Sequence, residues 1–197
     1  MKGRVNCMII DSHEHLMLPS ELQIEKMNEA GVDKTILFTT TPHPEKVSTL
    51  TEFKNEISVL FNILGGKNTI EANRKRMKKD ILDMMSVLEK YSDRFYGFGS
   101  VPLGMSFEET TEWIERYIIK NRLKGIGEFT PGNDEQISQL ETIFKVLEGY
   151  DKLPVWIHTF NPVTLNGIKI IEKFTNCLKN LVVIYLFSNI KFNYISE

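Results

Sequence analysis

The 197-residue chain holds four histidines, and two of them stand one residue apart in Asp11-Ser12-His13-Glu14-His15. Side chains two apart on an extended strand point the same way, so both imidazoles project together, with Asp11 on that side one step deeper. Such a pair offers a two-point grip on a metal ion; its plainer reading is two exposed histidines at a strand end. Glu128 closes the run Gly125-Ile126-Gly127-Glu128, and His158 closes Pro154-Val155-Trp156-Ile157-His158. Taken singly, Glu128 fits a solvated loop and His158 a core histidine bonded to backbone. Placed at matching ends of parallel strands, they bring a carboxylate and a third imidazole to the rim that carries His13 and His15. Three nitrogen donors and one carboxylate suit a divalent metal, Zn²⁺ first and Mn, Co or Fe as alternatives, with room for water in an open site.

Other chemistry-bearing residues read as weaker candidates. His43, in Thr41-Pro42-His43-Pro44, is expected to be a solvent-exposed loop histidine, with substrate contact as the alternative. The basic run Arg74-Lys75-Arg76-Met77-Lys78-Lys79 is expected to be a solvated helix face. Asp80, Asp83 and Glu89 follow closely, and no aromatic residues interleave as a nucleic-acid surface would need. Leu64-Gly65-Gly66-Lys67 follows no strand and lacks phosphate-loop spacing, and a serine nucleophile elbow is absent. Cys7 and Cys177 have no histidine beside them, which argues against thiol catalysis.

The elements that would position these residues follow from periodicity. Six apolar runs read as strands: Cys7–Asp11, Lys34–Thr39, Phe95–Val101, Lys124–Glu128, Pro154–His158 and Leu181–Phe187. Amphipathic stretches alternate with them. The first helix opens at Pro19–Ser20, with Ser20 and Gln23 spaced for a capping box, and closes at Gly31. The second, about Ile70 to Tyr91, aligns Met77, Ile81, Met84 and Leu88. The third starts at Ser106 with Glu109 completing a box, and buries Trp113, Ile114, Tyr117 and Ile118. The fourth is capped by Asn133 or Asp134, carries Ile137, Leu140, Phe144 and Leu147 on one stripe, and ends at Gly149. The fifth runs from about Val163 to Phe174. Strand starts recur about every 30 residues, with one step of about 61, the pattern of βα units around a parallel sheet. The long step marks an insertion over roughly Thr40 to Thr69 after the second strand, read either as a substrate lid or as outer decoration.

Composition bounds the rest. At 42% hydrophobic and 25% charged, the chain has the make-up of one globular domain rather than a disordered, collagenous or disulfide-built protein. The net charge of -2 and sequence pI near 6.1 give no general attraction to nucleic acid or anionic lipid. Apolar runs fall short of the roughly 20 residues of a membrane span. Two cysteines and an N-terminus without a secretory h-region point to a reducing compartment, the cytoplasm.

Four phrases occur in order on successive strands: Ile9-Ile10-Asp11-Ser12-His13-Glu14-His15; Asp93-Arg94-Phe95-Tyr96-Gly97-Phe98-Gly99-Ser100-Val101-Pro102; Leu123-Lys124-Gly125-Ile126-Gly127-Glu128; and Pro154-Val155-Trp156-Ile157-His158-Thr159. Over about residues 5–184 the chain resembles the amidohydrolase superfamily, in particular its amidohydrolase-2 branch of metal-dependent TIM-barrel hydrolases and decarboxylases. The resemblance implies an α/β (β/α)8 barrel and a divalent metal held by His13, His15, Glu128 and His158. It also implies a small-molecule substrate and a water attacking its amide, ester or related bond, with Glu128 and His158 catalytic as well as ligating and Asp11 in support, or decarboxylation instead. A nuclease of the same superfamily is disfavoured by the acidic balance. The chain departs from the family in lacking a histidine at the end of strand 6 and an aspartate at the end of strand 8. The expectation is therefore an incomplete barrel of about six strands spanning 1–184, with an atypical tail over 185–197 left by truncation. A catalytically inactive fragment, surviving as a metal-binding or assembly module, is the rival reading. Open sheet edges would favour homo-oligomers.

Overall fold

The computed structural model describes residues 7–64, 68–150, 153–159, 169, 171–173 and 183–187. Six parallel strands form one sheet: β1 (Ile10–His15), β2 (Lys34–Phe38), β3 (Phe95–Gly99), β4 (Gly125–Phe129), β5 (Val155–Thr159) and β6 (Val183–Phe187). Their spatial order is their chain order, with β1 and β6 outermost. A doubly wound sheet reverses its order at a switch point; a monotonic order is that of a barrel wall, here six strands of an incomplete α/β barrel. The helices between strands are α1 (Ser20–Ala30), α2 (Leu50–Leu64), α3 (Ile70–Lys90), α4 (Phe107–Trp113) and α5 (Asp134–Leu147). A π-helical stretch, Ile114–Ile119, continues α4.

Most helix starts agree with their sequence signals. Thr69 caps α3 by accepting from the Ala72 amide, Ser106 and Glu109 form the reciprocal box on α4, and Asn133 caps α5 through the Gln136 amide. The first helix differs. Pro19 stands at its N-cap, no side chain caps it, and the expected Ser20–Gln23 box does not form because Gln23 is engaged elsewhere. Gly31 ends α1 at φ 72°, the left-handed conformation in which a glycine carries no Cβ penalty. The long step after β2 holds a 3-10 turn, Pro44–Lys46, and α2. The expected fifth helix falls mostly outside the described residues, as do Cys177 and 188–197.

Strand alternation divides the apolar residues between two faces. Leu37, Ile126, Val155 and Ile157 join Ile81, Met84, Ile114, Leu140 and Phe144 in the main core beneath the helices. On the other face Phe38, Phe98 and Trp156 form a separate aromatic cluster, with Ile36 packed against it. Among the described residues no helix is long and apolar enough to cross a membrane.

Candidate metal centre

The first strand lies later than the sequence indicated, Ile10–His15 instead of Cys7–Asp11, so both histidines belong to the strand itself. Its ladder with β2 explains the shift. Asp11 pairs with Thr35 and Glu14 with Leu37, so three steps on β1 face two on β2, leaving one extra residue in a bulge. Asp11 Oδ1 accepts from the His13 backbone amide at 3.0 Å. Asp11, expected as a support of the metal centre, meets it through this bond to the bulged backbone of β1, since a carboxylate two residues before an amide readily closes a local turn.

A matching irregularity occurs on β4, where Ile126 pairs with Val155 and Phe129 with Ile157. The extra residue falls at Gly127-Glu128. Gly127 has φ 128°, and a Cβ there would lie 2.6 Å from the Trp156 carbonyl oxygen, so a side chain is excluded both by conformation and by space. The bulge aims Glu128 at the histidines. His158, by contrast, comes from a regular strand whose five residues all pair in register with β6.

The three histidines converge on the Glu128 carboxylate. Its Oε1 lies 3.1 Å from His13 Nε2 and 2.5 Å from His158 Nδ1, and its Oε2 lies 3.3 Å from His15 Nε2. Ligand atoms of His13, Glu128 and His158 lie within 4.8 Å of one another. His15 joins through the second carboxylate oxygen and is the most open, with 46% of its side chain exposed against 6% for Glu128. Burial alone would push the Glu128 carboxyl up, but hydrogen bonding to His13, His15 and His158 holds it far below the ordinary carboxylate range. The hydrogen bond to Glu128 raises His158.

Neighbouring side chains fix this arrangement. Gln23, almost fully buried, accepts from the Met17 amide at 3.1 Å and donates to Glu14 Oε2 at 2.8 Å and the His15 carbonyl at 3.0 Å. It thereby ties α1 to the end of β1. The His13 ring stacks 5.7 Å from Trp156 at an interplanar angle of 10°, with Phe38 at 4.9 Å. The aromatic cluster carries no local sequence signal, and Gln23 carries only a capping one; its actual partners are Glu14, His15 and Met17 in the preceding strand and loop.

The remaining candidates lie apart from this cluster. His43 is not a solvent-exposed loop residue: only 12% of its side chain is exposed, and Nδ1 lies 2.8 Å from Glu45 Oε1. Glu45 in turn accepts from the Leu18 amide, so the insertion clasps the loop after β1. Along the basic run, Arg74 pairs with Glu109 and Lys79 with Asp83 at the surface, as a solvated face requires. Arg76 departs from that face and turns inward to Asp80.

Neither family models nor curated protein sequences match the chain. Solved structures do. 5-Carboxyvanillate decarboxylase LigW from Sphingomonas paucimobilis superposes with a TM-score of 0.60 at 13% identity, over 90% of this chain and 67% of that one. The chain has its fold. A protein described as amidohydrolase II gives a TM-score of 0.58 at 16% identity, over 89% of this chain and 65% of that one. 2,6-Dihydroxybenzoate decarboxylase from Rhizobium gives 0.56 at 14%, over 90% and 65%. The chain thus spans about two thirds of the length of these three structures.

Proposed function

We propose that the chain carries the metal-binding rim of an amidohydrolase-type enzyme whose reaction is decarboxylation of a small carboxylic acid. The carrying observation is the convergence of His13, His15 and His158 on Glu128 at the C-terminal ends of β1, β4 and β5. That is the end of the sheet where barrels hold their sites. The donor set fits a divalent ion: a buried, ionised carboxylate approached by three imidazole nitrogens. His13, His15, Glu128 and His158 would hold it. A dihydroxybenzoic acid decarboxylase from Polaromonas, of similar fold at a TM-score of 0.53, is described with bound manganese, which makes Mn²⁺ the first ion to test ahead of the expected Zn²⁺.

A bound divalent ion supplies Lewis acidity that polarises a substrate oxygen and lowers the pKa of water. The protein's own contribution is orientation and proton handling. Trp156 and Phe38, both buried, pack against the His13 ring and hold its orientation at the rim. Decarboxylation replaces CO₂ on the substrate carbon by a proton, and the open side of the site at His15 admits water as its source. Hydrolysis is the second reading, favoured by the amidohydrolase II structure and by the same donor set.

The test is Mn²⁺ binding by calorimetry, followed by CO₂ release from a panel of hydroxybenzoates beside hydrolysis of aryl esters. CO₂ release that disappears in His158→Ala supports decarboxylation. Ester turnover with the same dependence and no CO₂ would replace it by hydrolysis. Absence of metal binding would sink both.

A further inference from the structure

A cavity of about 240 Å³ opens from Glu128 toward the insertion, between the loops after β3 and β4 and the N-terminal part of α3. One wall is apolar, built from Met77, Val101 and Leu103. Among the described residues that line it, Arg76 is the single cation. Its guanidinium is held by three neighbours: Nη1 donates to Thr41 Oγ1 at 3.1 Å and to Asp80 Oδ2 at 3.5 Å, and Nη2 donates to Asn73 Oδ1 at 3.2 Å. Nε is buried and has no partner.

Asp80 compensates this charge only weakly. Its Oδ2 takes a short hydrogen bond from the Thr41 hydroxyl, 2.7 Å, and stands at the long limit from Arg76. Burial lowers the guanidinium and raises the Asp80 carboxyl, the signature of a pair that is desolvated more than it is neutralised. A fixed, under-compensated guanidinium at a cavity wall attracts an oxyanion, toward which Nη2 keeps one N–H beyond its bond to Asn73 for a charge-assisted hydrogen bond.

We propose that Arg76 is a substrate-recognition residue that binds an anionic group of the substrate in this cavity, so that the preferred substrates are small acids with a second carboxylate besides the one presented to the Glu128 centre. The proposal rests on the metal-centre reading only for the position of the first carboxylate. Glu135, also on the lining, is exposed at the mouth and leaves Arg76 the anchoring charge within.

The probes are isophthalate, with two carboxylates, and benzoate, with one, titrated calorimetrically into the Mn²⁺-loaded and the metal-free chain. Wild type should prefer isophthalate. Arg76→Met should weaken isophthalate about tenfold or more while changing benzoate and Mn²⁺ affinities little, the loss of one charge-assisted contact. Arg76→Lys should recover part of the preference, because it restores the charge without the fork. The double variant Arg76→Met/Asp80→Asn removes both buried charges together and gives the same reading if the single variant fails to fold. Arg76-dependent isophthalate binding in the metal-free chain supports the subsite even where Mn²⁺ uptake fails, which would count against the metal centre alone. Isophthalate binding that is absent, or equal in wild type and both Met variants, overturns it.

Discussion

β5 and β4 deliver their functional residues by different means. Every residue of β5 pairs in register with β6, and His158 reaches the rim by plain alternation. β4 reaches it through an added residue against β5, with Gly127 in a conformation closed to side chains and Glu128 thrown toward the histidines; β1 does the same at His13. A regular strand places a ligand cheaply but only on a two-residue grid, whereas a bulge moves a ligand off that grid at the cost of a backbone that its neighbours must hold. The convergence of three imidazoles on one carboxylate depends on both devices.

Substitutions can break this contrast in order of expected size. Glu128→Ala removes the point on which all three histidines converge, and Mn²⁺ affinity measured by calorimetry should fall by at least about 100-fold, beyond the usual effect of losing a supporting residue. Gly127→Ala should lower stability by about 1–3 kcal/mol in urea unfolding and weaken metal binding as well, since the bulge must shift away from the Trp156 carbonyl. Leu140→Ala, in the core under the helices, should cost about 2–5 kcal/mol of stability yet leave Mn²⁺ affinity of the folded chain nearly unchanged. Equal losses of metal affinity in Gly127→Ala and Leu140→Ala would mean that the bulge has no special role. Asp11→Ala should cost about 1 kcal/mol and roughly tenfold in metal affinity, the scale of one backbone hydrogen bond and one supporting group.

Acidity offers a finer test. The depressed Glu128 carboxyl contributes stability that is present above its unfolded value near 4.5 and lost as pH falls toward its folded value. The raised His158 contributes stability that is full below its unfolded value near 6.5 and lost as pH rises through its folded value. Metal-free protein should therefore lose stability on both flanks. Over the upper flank Mn²⁺ affinity should rise, because ligation requires neutral His158. Thermal melts and calorimetry between pH 6 and 9, set at about those limits around the histidine range, should show opposite slopes; parallel slopes would remove His158 from the ligand set.

Much of the site is legible in the sequence. His13, His15, Glu128 and His158 announced themselves as polar groups at the ends of apolar runs, and the repeat of about 30 residues specified a barrel-type sheet. The misplacement of β1 by several residues has a specific cause: Cys7-Met8-Ile9 is apolar and strand-like, but the ladder with β2 begins only at Ile10 and continues through His15. Gln23 likewise carried a capping signal from Ser20, yet three hydrogen bonds to the end of β1 outweigh one to its own helix. Arg76 was indistinguishable from its surface neighbours until the α3 packing turned it toward Asp80.

By itself the sequence determined the α/β alternation, the helix stripes and caps, and the identity of the four converging residues, because these depend on period and on neighbours a few positions away. Only the tertiary structure decided where β1 and β4 bulge, which carboxylate oxygen each histidine meets, and that Arg76 lines a cavity beside Glu128. Those features are set by strand register and by pairs thirty or more residues apart in the chain, and no local pattern encodes them.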